Sequence, residues 1–137
     1  MLEYYPTGEL LLSGQYNTDN QRIGLWIQYY ISGIAYIKCF YKKDLLHGQF
    51  LSYHDSGQLH RSVMFQHGLE IGEELTFYRN SNPKTKGNYL HGKRINQWFY
   101  YHVEDYLHYQ GCFLNGKENG TWLWYSPDGN IIGEKKF

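Results

Sequence analysis

An all-β chain built as a tandem array of 24-residue β-hairpin units is what this sequence predicts, on three observations. Blocks opening at Gly24, Gly48, Gly72, Asn96 and Gly120 follow one another at a constant spacing. Two columns of the array are aromatic throughout: Tyr29, Tyr53, Phe77, Tyr101 and Tyr125 in one, and Tyr41, Phe65, Tyr89, Phe113 and Phe137 in the other. Turn dipeptides separate short β-branched and aromatic runs, with no helical period anywhere. Self-similarity at a fixed period signals a repeat architecture in which stability is spread along the array. All of residues 1–137 form one domain, an incomplete unit over 1–23 followed by units opening at 24, 48, 72, 96 and 120.

The elements follow in order within each unit. A first strand is expected over Gly24-Leu25-Trp26-Ile27-Gln28-Tyr29-Tyr30, whose residues suit a pleated, half-buried surface. Its second position after the opening residue holds Trp26, Phe50, Glu74, Trp98 and Trp122 in successive units. A turn comes next, at Ser32-Gly33, Ser56-Gly57 and Asp128-Gly129, where glycine supplies a positive φ without a Cβ clash. The second strand then runs over Ile34 to Tyr41, or Gln58 to Phe65. A polar loop bracketed by glycines, Gly68 to Gly72 and Gly116 to Gly120, is expected to return the chain. In the first, incomplete unit Tyr4, Gly8, Tyr16 and Asp19 precede Tyr29, Gly33, Tyr41 and Asp44 by one position more than the period. One inserted residue is therefore expected in the loop Asn17 to Ile23. Alternation of side chains puts Trp26 and Tyr30 on one face and Tyr29 on the other, unless the opening glycine seeds a bulge.

Composition narrows the function classes. Fifteen Tyr, seven Phe and four Trp make 19% of the chain, and these rings suit surfaces that are half wet. Thirteen basic and thirteen acidic residues cancel, so no nucleic-acid role is expected. No apolar run is long enough for a membrane helix. The opening Met1-Leu2-Glu3-Tyr4-Tyr5-Pro6 has no basic stretch followed by an apolar one, and with two unpaired cysteines a cytoplasmic home is expected. No catalytic residue, no cofactor and no metal site is expected, and the chain is read as a non-enzyme. The recurring histidines His54 and His102, and His60 and His108, stand two units apart, which at two strands per unit is roughly 19 Å. One ion cannot bridge that gap. Cys39 and Cys112 lie farther apart still and cannot form a disulfide within one chain.

Several motifs resemble the MORN-repeat variant family, most closely its bacterial members associated with toxin–antitoxin systems. They are Tyr-Tyr-x-x-Gly at Tyr4 to Gly8 and Tyr29 to Gly33, and Gly-x-Trp-x-x-Tyr at Gly24 to Tyr29 and Gly120 to Tyr125. The small-x-aromatic steps Gly14-Gln15-Tyr16, Gly87-Asn88-Tyr89 and Gly111-Cys112-Phe113 add to them, as do His47-Gly48, His67-Gly68 and His91-Gly92. The resemblance implies an elongated, single-layer antiparallel β-meander of stacked hairpins. It further implies a protein-binding module, in its bacterial form an antitoxin or immunity protein that occludes a partner toxin; phospholipid binding or scaffolding is the alternative. The open sheet edges are candidates for self-association.

Two irregular units depart from the pattern. The third has Glu74 for the tryptophan and Ser81 for the turn glycine, and the fourth has Asn96 and Asp105 in place of glycines. Five cations, Arg79, Lys84, Lys86, Lys93 and Arg94, gather where no acidic residue intervenes between Glu74 and Glu104. A specific contact site is therefore expected between Gly72 and Asn119. The candidate partner contacts are this basic segment together with Trp26, Tyr30, Tyr78, Trp98, Tyr100, Trp122 and Trp124.

Overall fold

A computed structural model describes all of residues 1–137 and contains twelve strands and no helix. In chain order these are β1 Leu2–Tyr4, β2 Leu10–Tyr16, β3 Arg22–Tyr29, β4 Ala35–Lys42, β5 Leu45–Tyr53 and β6 Leu59–Gln66, followed by β7 Leu69–Phe77, β8 Pro83–Leu90, β9 Lys93–Tyr101, β10 Leu107–Leu114, β11 Lys117–Tyr125 and β12 Ile131–Lys136. Every strand pairs antiparallel with its sequence neighbours in a single open sheet, so the chain is a pure meander with β1 and β12 at its edges. Only 11 of the 137 residues are buried, as befits one layer with no second sheet to pack against.

The two turns of each unit differ in construction. Between β3 and β4, Gly33 N–H donates to the Tyr30 carbonyl and Tyr30 N–H to the Ile34 carbonyl, with Gly33 at φ 84°. The other connection is tighter than the expected glycine-bracketed loop. His67 (φ 51°) and Gly68 (φ 82°) alone join β6 to β7, and Asn115-Gly116 alone joins β10 to β11. Two positive φ values in succession are the signature of the type I′ turn, whose twist matches that of the flanking strands. The second glycine of each pair, Gly72 or Gly120, lies inside the following strand, at a shift in pairing register. It forms a bulge there. The inserted residue of the first unit falls where expected, in the connection Asn17 to Gln21, which Asn17 ties down by accepting from the backbone N–H groups of Asp19 and Gln21.

Faces follow from the register, because directly opposed residues share a side of the sheet. Trp26 pairs with Cys39 and Cys39 with Phe50, whereas Ile27 pairs with Lys38 and Lys38 with Leu51. The first set marks an aromatic face and the second its reverse. The Tyr53 ring lies 5.5 Å from the Lys38 ammonium, and the Tyr125 hydroxyl meets Gln110, so the Tyr29 column points away from the tryptophans. The opening residue does seed a bulge, but it lies before the tryptophan position and leaves this relation intact.

Candidate functional site

The aromatic face is built by a size rule between neighbouring units. The indoles of Trp26, Trp98 and Trp122 lie over Gly14, Gly87 and Gly111 of the preceding strand, where a Cβ would come within 2.0 to 2.2 Å of ring carbon. Only glycine fits beneath a tryptophan. Where the preceding strand carries Cys39, the ring is Phe50, and beside Val63 the tryptophan is replaced by Glu74. The small-x-aromatic step is therefore a packing device that couples each unit to the next.

Edge-to-face contacts run along this face: Tyr16–Trp26 at 5.1 Å, Trp26–Tyr41 at 5.9 Å, Tyr89–Trp98 at 5.3 Å, Trp98–Phe113 at 5.9 Å, Phe113–Trp122 at 5.2 Å and Trp122–Phe137 at 6.0 Å. Each such pair adds about 0.5–1.5 kcal/mol beyond area burial. A second row, Tyr100, Tyr109 and Trp124, stacks at 4.3 and 5.9 Å and is only partly buried. Burial raises the Tyr100 hydroxyl to about 12, against the opposing pull of the nearby Arg94 guanidinium.

In the third unit charge replaces the ring. Glu74 is 4% exposed, and its carboxylate accepts from Arg61 Nε at 2.5 Å, while Glu70 takes a longer contact from the same guanidinium at 3.5 Å. Burial opposes the Arg61 charge, but the two carboxylates hold its pKa above the ordinary value. Arg61 also lies 5.8 Å over Phe50, and Arg94 lies 4.6 Å over Trp98, so guanidinium planes bridge the broken aromatic ladder.

The residues expected as contacts separate into three groups. Trp26, Trp98 and Trp122 are 4%, 0% and 5% exposed, which leaves almost no surface for a partner; they hold the sheet together. Tyr30 and Tyr78 donate from their hydroxyls to the Tyr53 and Tyr101 carbonyls of the next unit, at 2.9 and 2.8 Å. Tyr5 and His54 make the equivalent ties to Tyr29 and Phe77. Tyr100 and Trp124 remain on the accessible row, joined by Tyr109, whose column (Ile37, Arg61, Thr85, Tyr109, Gly133) carries no repeat pattern that could have marked it.

The basic segment does not form one patch. Arg79 pairs with Asp55 and Lys86 with Glu73, while Lys84 covers the Tyr78 ring at 5.4 Å. Arg79 and Lys93 flank opposite ends of β8, whose eight residues span roughly 26 Å. Arg94 turns onto the aromatic face beside the Tyr89 and Tyr100 hydroxyls, and with Lys93 and Lys117 it lines an open groove of about 570 Å³ that also contains Glu70.

The histidines meet across strands rather than along columns. His54 and His60 lie 4.7 Å apart, His102 and His108 6.0 Å, and His47 and His67 5.1 Å. Column spacing alone overlooked these pairs. None of them belongs to a cluster of three metal-ligating side chains. Cys39 is buried, and the Cys112 thiol donates to the side-chain amide oxygen Oε1 of Gln97 at 3.0 Å. Burial pushes the Cys39 thiol up, away from the reactive thiolate form.

Residues 46–67 and 118–137 match the family model described as a MORN repeat variant. The two segments stand three periods of the array apart, and each begins just before an opening glycine, Gly48 or Gly120. Over these two segments, less than a third of its length, the chain is similar to MORN repeats of the variant type. No curated protein is significantly similar to the chain.

Proposed function

We propose, taking MORN-type repeats as the premise, that this chain is a non-catalytic protein-binding module whose aromatic face occludes a partner, in the manner of an antitoxin or immunity protein acting on a toxin. The stacked, partly buried row Tyr100–Tyr109–Trp124, which still reaches solvent, carries this reading. Its rings are held rigid over the buried Trp98 and Trp122, so little side-chain entropy remains to be lost on binding. Aromatic anchors of this kind dominate interface energetics. The test is affinity capture from the native host with the intact chain and with Tyr109→Ala/Trp124→Ala. A single partner recovered in stoichiometric amount by the first and lost by the second supports the proposal, as does relief of that partner's toxicity on co-expression. Capture of no such partner, or equal capture by both, refutes it.

Binding of anionic phospholipid is a second reading, favoured by the groove that Lys93, Arg94 and Lys117 line. Vesicle flotation over a salt series should then fall sharply for Lys93→Ala/Lys117→Ala; unchanged flotation would count against it. The unpaired backbone edges of β1 and β12 are where self-association would occur, and light scattering on the isolated chain reads it directly.

A further inference from the structure

A cavity of about 240 Å³ opens on the aromatic face between the first and second full units. Trp26, Tyr41, Cys39 and Phe50 line it together with Leu12 and Ile37, and Arg22 and Gln28 complete its wall. The repeat supplies an internal comparison, because the same place recurs three units further along the chain. There Gln28 becomes Tyr100, Ile37 becomes Tyr109, Cys39 becomes Gly111 and Phe50 becomes Trp122. In that later unit the space is filled by rings: Tyr100 stacks on Tyr109 at 4.3 Å, and both lie within 6.3 Å of Trp122.

The chain cannot fill the earlier site by itself. A Cβ at Gly111 would stand 2.0 Å from the Trp122 ring, so the Cys39 side chain forbids an indole at position 50. Phe50 is the smaller ring that remains, and it pairs with Phe65 at 5.6 Å on its far side. The edge-to-face ladder, continuous from Tyr16 through Trp26 to Tyr41, stops at this gap.

We infer that this cavity is a binding site for one planar aromatic ring of indole size, presented as a side chain by the protein partner. The partner clause rests on the function proposed above; the ring preference rests on the cavity alone. An apolar cavity of roughly 150 Å³ already admits benzene, and this larger one has room for a bicyclic ring. Its walls offer an incoming ring what Phe113 and Trp98 offer Trp122: an edge-to-face neighbour in Tyr41 and apolar flanks. The Gln28 side chain makes no hydrogen bond within the chain, so its carbonyl oxygen is free to accept from an indole N–H. Arg22 is held 4.1 Å over Tyr41 and bonded to Asp44, which fixes one wall before any ligand arrives.

The experiment needs no partner. The full chain is titrated with N-acetyl-L-tryptophanamide while side-chain resonances of Trp26, Ile37 and Phe50 are followed by NMR. Saturable shifts confined to these residues, with a dissociation constant on the order of 1 mM, are expected for a ligand of this size. Cys39→Gly/Phe50→Trp copies the filled unit and should weaken binding at least tenfold. Gln28→Tyr/Ile37→Tyr copies it from the other wall and should do the same, which keeps the test available should the first pair fold poorly. Absence of saturable shifts, or equal binding by a folded, filled variant, overturns the proposed site. Failure to capture any host partner overturns the proposed function and leaves this titration unaffected. Ring binding together with partner capture that is insensitive to both filled variants overturns the partner clause alone.

Discussion

Replacing Gly111 by alanine tests the packing rule that joins the units. The new Cβ would lie 2.0, 2.2 and 2.4 Å from Cδ2, Cε2 and Cγ of Trp122. Ordinary carbon contacts begin near 3.5 Å, so the indole must withdraw by about 1.5 Å or the strands must part. Overpacking of this kind costs about 1–3 kcal/mol, and complete loss of the tryptophan's burial would cost about 3–5 kcal/mol. Against this, alanine restricts the unfolded chain and recovers about 0.4–1 kcal/mol, since Gly111 is not among the positive-φ residues. The expected net loss is about 3 kcal/mol, read as a lower urea midpoint at unchanged slope, or as a melting temperature lower by about 10 °C. Gly111→Ala/Trp122→Phe imitates the Cys39–Phe50 solution and should show a coupling energy of at least about 1 kcal/mol in a double-mutant cycle. Gly133→Ala is the control, because its Cβ would meet only Trp124 Cβ, at an ordinary 3.8 Å. A Gly111→Ala protein as stable as the parent to within about 0.5 kcal/mol, the range of an innocuous surface change, would refute the reasoning. Additive effects in the cycle would refute it equally.

Three further outcomes are expected. Glu74→Trp alone should be strongly destabilising, because Val63 occupies the place a tryptophan needs empty. Arg61→Ile/Val63→Gly/Glu74→Trp, which removes both members of the ion pair, should recover most of that loss in chemical denaturation, since apolar packing commonly matches a buried ion pair. Burial first, then His54, Lys84 and Arg61, lower the pKa of His60. The unfolded chain therefore binds its proton more readily, and this site's contribution to stability is present above pH about 6.5 and lost as the pH falls below it. His60→Asn should flatten the measured fall in stability between neutral and mildly acid pH. Tyr100 behaves oppositely: with its hydroxyl raised to about 12, its contribution holds below the ordinary tyrosine range and disappears as the pH climbs through that value. Tyr100→Phe should remove that part of the alkaline unfolding and the latest phase of tyrosinate absorbance.

How far the sequence could be read depended on the range of each interaction. Period, strand order and turn positions were legible because they rest on local properties: aromatic columns at a fixed spacing, and glycine where φ must be positive. The return loop was legible only as a pair of glycines. That one glycine turns the chain while the other makes a bulge depends on which carbonyls the neighbouring strand offers. The basic segment looked continuous along the chain, yet a strand of about 26 Å carries its ends apart and alternation divides the rest between two faces. Arg61 and Glu74 gave no sign of pairing, since they lie on different strands and neither repeats in its column.

By itself, then, the amino-acid order determined a single-layer meander of hairpins, since each unit's aromatic positions can be covered only by the next unit. The tertiary structure alone decided which of those rings are spent on cohesion and which remain available. A tryptophan's accessibility depends on whether the strand beside it offers a glycine to lie upon, and on whether its neighbours close over it. That relation buries Trp98 and Trp122, leaves Tyr109 and Trp124 in reach, and opens the cavity between Tyr41 and Phe50.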